Sequence, residues 1–211
     1  MEQAERQRVL DLVQRLKAEV EAAGVPVYLE EVDEVECRDG TSCSGFFEDV
    51  PELVMKVAVG KDLDDWCHIF LHEYNHFCQW REGIPMWADS IIDGTECLDL
   101  VMDDFEGKIT LGREVVEQYL HLQAIVERDC EIRTLRMIRE HDLPIDQVWY
   151  AKASNAYVAF YYAMGELRSW CNTKAPTQID EIMEQMPTET EGVDHRKLGL
   201  SLVDLFREHC I

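Results

Sequence analysis

Long apolar runs are missing from this chain of 211 residues. No stretch approaches membrane-spanning length, and Met1 to Leu16 carries charges throughout, where a signal peptide would have an apolar core. These absences point to a cytoplasmic protein without a membrane partner. Basic residues are scarce, 20 against 43 acidic ones, and the formal net charge is -23. A field of that sign repels phosphate backbones and anionic lipid, so nucleic acid is a poor partner. Cationic partners are favoured, although the same charge also serves plain solubility. The eight cysteines include no CxxC pair, which leaves a thiolate zinc knuckle without support. Several of them lie in apolar helical patterns, where a reduced Cys behaves as a small core residue. Cys37 and Cys43, flanking the turn signal Asp39-Gly40, are the one pair to check for a bridge. No repeat, low-complexity tract or linker divides the sequence, and its length suits a single domain over 1–211. Nothing in it bears on oligomeric state.

With 46% hydrophobic residues the chain has material for a core. Apolar positions at helical spacing predict a first helix over 2–23, closed by Gly24 and Pro26. Between 25 and 60 the pattern turns to strands: Val27-Tyr28-Leu29, a stretch around Cys43 to Phe47, and Leu53 to Val59. A buried helix over 62–81 follows, with acidic residues in its first turn and Gly83 and Pro85 beyond its end. Residues 84–112 have no clean period and read as a long connection. Two long helices, 114–141 and 146–170, and two short ones near 179–186 and 196–208 complete an α+β chain with a small N-terminal sheet and a helix-rich body.

The helix over 62–81 contains His72-Glu73-Tyr74-Asn75-His76. Histidines four apart share one helix face, so both imidazoles reach one metal ion, and the Glu after the first is placed to take a proton from water. Two His and a Glu among Phe70, Leu71, Phe77 and Cys78 would be costly to desolvate without a partner. The plainer alternative is that both histidines make ordinary core hydrogen bonds while Glu73 faces water. Catalytic zinc takes three protein ligands, and no H-x-x-G-x-x-H pattern supplies the third. On the helix over 114–141, Glu127 falls at the centre of the apolar stripe and Glu131 about 40° to its side, whereas Asp129 and Arg133 lie opposite and can pair in water. Glu127 is therefore a candidate ligand, with Glu131 beside it to orient a ligating His. A buried Glu paired with an Arg would also account for the stripe.

These segments resemble the gluzincin zinc peptidases, in particular the small ImmA/IrrE-like minigluzincins. The resemblance rests on Phe70 to Phe77 and on Glu127-Arg128-Asp129-Cys130-Glu131, and spans about residues 25–140. More weakly, the chain is similar to uncharacterised phage-encoded HExxH proteins, which would place it in the host cytoplasm. The resemblance implies a zincin-like fold, Zn2+ bound by His72, His76 and Glu127, and Glu73 as general base. Glu131 and Cys130 stand where the family has Asp or Asn and Ala, so a register with Glu131 as the ligand stays open. It further implies hydrolysis of peptide bonds, with a peptide or protein substrate added as a strand along an edge resembled by Leu53 to Val59. Asn155 and Tyr157, polar groups on an apolar helix, are candidates for stabilising the oxyanion. A zinc-containing regulatory or interaction protein without hydrolytic activity is the competing expectation, and a metal-free helical protein the third.

Overall fold

The computed structural model describes residues 2–37, 40–171 and 174–211. Asp39 of the Asp39-Gly40 turn signal lies outside them. The chain is α+β and parts into two compact units, one of residues 1–84 with 136–145 and one of residues 85–135 with 146–211. No helix among the described residues is long and apolar enough to cross a membrane.

The first unit opens with α1 (Gln3–Ala22), whose buried stripe is Val9, Leu12, Val13, Leu16 and Val20, the 3–4 spacing of an amphipathic helix. Strands β1 (Val27–Glu30), β2 (Val35–Glu36), β3 (Ser42–Cys43), β4 (Gly45–Glu48) and β5 (Val54–Ala58) follow. A three-stranded sheet has the order β1-β5-β4, parallel between β1 and β5 and antiparallel between β4 and β5. β2 and β3 form a separate antiparallel pair. The strand expected to be an edge, Leu53 to Val59, is thus the middle of the sheet. Met55 and Val57 are fully buried on it, and both sides of its backbone are already paired; the edge beside the next helix is β4.

That helix, α2 (Leu63–Glu82), buries Trp66, Phe70, Leu71, Tyr74, Phe77 and Cys78, so the all-round apolar pattern does mark a buried helix. It ends at Gly83, which takes φ +63 as the left-handed cap. Gly45 of β4 permits the close approach of sheet and helix, since a Cβ there would lie 2.9 Å from Ile69 Cγ2. Tyr74 and Arg81 both bind Glu19 of α1, at 3.0 and 2.6 Å; hydrogen bonding to Arg81 is the main cause holding the Glu19 carboxyl below its ordinary pKa.

In the second unit the expected connection over 84–112 is instead α3 (Pro85–Asp89), the hairpin β6 (Ile91–Ile92) and β7 (Thr95–Glu96), and α4 (Cys97–Phe105). Asp93 and Gly94, with φ +51 and +82, make the two-residue turn of that hairpin. Pro85 both follows α2 and begins α3, where its missing N–H costs nothing. Next come α5 (Arg113–Glu140), whose residues 136–140 belong to the first unit, and α6 (Gln147–Leu167), capped by Asp146 accepting from the Val148 and Trp149 amides. After a 3-10 turn at Pro176–Gln178, the chain ends in α7 (Asp180–Gln185), α8 (His195–Ser201) and α9 (Val203–Cys210). The helix expected over 196–208 is therefore two, separated at Leu202. Phe160, Met164, Ile182, Phe206 and Cys210 lie in the core of this unit.

Candidate metal centre

Helix α2 brings His72 and His76 together with their Nε2 atoms 2.9 Å apart and their rings nearly perpendicular, at 82°. His76 Nδ1–H donates to Gln79 Oε1 at 2.9 Å. That bond fixes the tautomer: in the neutral ring Nε2 carries the lone pair, and it points at His72. At that distance the two nitrogens either make an N–H···N hydrogen bond or face a common cation. A ligating His usually gives its second N–H to a protein oxygen, and Gln79 is that partner here. Glu73 is 6% exposed, and His76 equally buried. Asn75, between them, donates to Leu71 O at 2.8 Å and Met137 Sδ at 3.4 Å, which holds its side chain back along α2.

The two imidazoles of α2 offer two ligand nitrogens to one ion. Cys130 is fully buried on α5. Gln79 has no sequence signal of its role beyond its helical i,i+3 spacing from His76.

The two carboxylates singled out on α5 are both buried, Glu127 at 6% and Glu131 at 7% exposure. Glu127 Oε1 accepts from Gln123 at 2.9 Å. Glu131 Oε2 accepts from Tyr150 Oη–H at 2.5 Å and Ser154 Oγ–H at 2.7 Å. Tyr150 and Ser154 are one turn apart on α6, a pair that helical spacing could have found. Asp129 and Arg133 do pair, at 2.7 Å, as their place opposite the stripe predicts.

Asn155, proposed for the oxyanion, donates both amide hydrogens to Pro187 O and Glu189 O, at 2.9 and 3.0 Å. Its Oδ1 accepts from His195 Nε2 at 2.8 Å, so it fastens the approach to α8. Tyr157 accepts from Tyr161 at 2.8 Å. Burial first, then the neighbouring Tyr157 and Glu127, pushes the Tyr161 hydroxyl well above its ordinary pKa, which makes it a neutral donor.

His195 is 5% exposed. Burial, helped by the Arg128 charge, lowers its pKa from 6.5 to about 4. With the folded value below the unfolded one, the unfolded chain binds more protons between those pH values. Stability is then complete above about pH 6.5 and falls toward pH 4, by about 2 to 3 kcal/mol. Urea denaturation at pH 7 and 4.5 should show that extra loss in the parent relative to His195→Gln, which keeps a donor to Asn155. Equal losses would rule it out.

No family model, curated protein or solved structure matches the chain.

Proposed function

We propose that this protein is a zinc-dependent hydrolase that cleaves peptide bonds. The observation that carries the proposal is the convergence of His72 and His76 at 2.9 Å with Gln79 orienting His76. His72 and His76 would hold the ion, and the resemblance adds Glu127 as the third ligand, or Glu131 in the shifted register. Zinc supplies Lewis acidity toward a water molecule and an amide carbonyl. Glu73, next in sequence to a ligand, takes the proton from water and delivers it to the leaving nitrogen. Burial of Glu73 keeps that carboxylate in a low-dielectric setting, where proton transfer is least disturbed by bulk water. A substrate strand would add along β4, the sheet edge packed on α2, and backbone pairing there gives affinity with little sequence preference. The charge of -23 favours cationic segments.

Native protein should carry about one equivalent of zinc, and a chelator should remove both the metal and hydrolysis of an unstructured protein pool, with added zinc restoring both. Zinc well below one equivalent, unrestored by added metal, would sink the proposal. The second reading is a zinc-containing regulatory or interaction protein in which the metal only ties helices together. In that case metal is present and no hydrolysis accompanies it.

A further inference from the structure

Cys37 and Cys43 stand apart from the candidate metal centre. Their Sγ atoms are 3.1 Å apart, and both are free, half-buried thiols. The backbone accounts for the contact. In the β2–β3 pair Val35 faces Cys43 and Glu36 faces Ser42, and the Cys37 amide donates to Thr41 O at 2.8 Å. Cys37 thus continues the ladder opposite Thr41, and side chains two apart share a sheet face, so Cys37 and Cys43 project to the same side. The Cys43 thiol also reaches Gly45 O at 3.4 Å, the first residue of β4.

We propose that Cys37 and Cys43 form a redox-active dithiol site that closes to a disulfide by exchange with a small disulfide of the glutathione class. Burial, then Cys37 and then the Glu73 charge push the Cys43 thiol up, so Cys43 is the poorer first nucleophile. Cys37 attacks one sulfur of the oxidised glutathione. The S–S bond of glutathione breaks, a Cys37–glutathione bond forms, and the first glutathione leaves with the proton Cys37 gave up. Cys43 then attacks Cys37 Sγ, forming the Cys37–Cys43 bond and releasing the second glutathione with the Cys43 proton. The dithiol loses two electrons, and one glutathione disulfide becomes two thiols. The buried Cys67, Cys78, Cys97, Cys130 and Cys210 serve as internal controls. The site does not depend on the hydrolase reading.

The test is to incubate the reduced full chain with oxidised glutathione, alkylate, and map peptides after cleavage at Arg38, which separates the two cysteines unless they are bridged. The expected product is the Cys37–Cys43 linked peptide, formed before any buried thiol reacts. In Cys43→Ser, glutathione should remain trapped on Cys37, and trapping on Cys43 in Cys37→Ser should be about tenfold slower or more. A pair that stays fully alkylatable under excess oxidised glutathione would overturn the proposal, as would separate glutathione adducts in the parent without the linked peptide. Equal trapping in the two variants would overturn the assigned order of attack.

Discussion

Changing Glu73 to Gln is expected to leave the metal content of the protein at its parental value while lowering hydrolysis about 10²- to 10⁴-fold. Gln has nearly the volume and reach of Glu, so the buried position on α2 stays filled. The two imidazoles that would hold the ion sit at other positions and keep their contact with each other and with Gln79. What disappears is the carboxylate proposed to accept a proton from water. Elemental analysis and turnover of an unstructured protein, measured on the same preparation, check both halves of the expectation. Unchanged turnover at unchanged metal would remove Glu73 as the base. A structural metal predicts something else, since such a site has no use for the Glu73 carboxylate.

The second large effect belongs to the second unit. A Cβ on Gly199 would lie 2.1 Å from Ala159 O, a contact that no rotamer change relieves because the Cβ position is fixed by the backbone and its partner is a backbone oxygen. Gly199→Ala should therefore push α8 off α6 and destabilise the protein by about 3 kcal/mol or more. Gly165, also on α6, is the internal contrast. Its Cβ would meet only Leu120 Cδ1, at 3.4 Å, and Gly165→Ala should stabilise the helix by up to about 1 kcal/mol through propensity alone. Denaturant midpoints of the two variants and the parent should move in opposite directions. If they move together, the close α6–α8 approach does not limit stability.

Helix positions were legible where one signal dominated. The periodic stripe of α1, the terminus signals around α2 and the run of α5 each left a boundary within one or two residues. Residues 84–112 were not legible as structure because their elements are short: α3 has five residues, β6 and β7 two each, and the nine of α4 make only about two and a half turns. Even so, Asp93-Gly94 between two isoleucines and Thr95 is a hairpin signal in miniature. Strand order also escaped: β5 has the apolar alternation of any half-buried strand, and nothing local says that β1 and β4 flank it. At the candidate site the His72–His76 contact follows from i,i+4 spacing alone. The role of Gln79 did not, since an amide on a buried helix looks like packing until its partner is placed. The same holds for Asn155, whose polarity gives no sign of the hydrogen bonds that tie it to Pro187 and Glu189.

The central position of β5 has a consequence for how the chain acquires its sheet. β1 pairs with β5 and so does β4, and neither pairs with the other. As synthesis proceeds from the N-terminus, both outer strands emerge with their hydrogen-bonding partner still unmade, so the sheet cannot grow strand by strand from one side. It assembles when residues 54–58 arrive and slot between two waiting segments, the nearer from a few residues back and the farther from across the β2–β3 hairpin. A nascent chain halted before Val54 would contain the β2–β3 hairpin complete and β1 and β4 both unpaired.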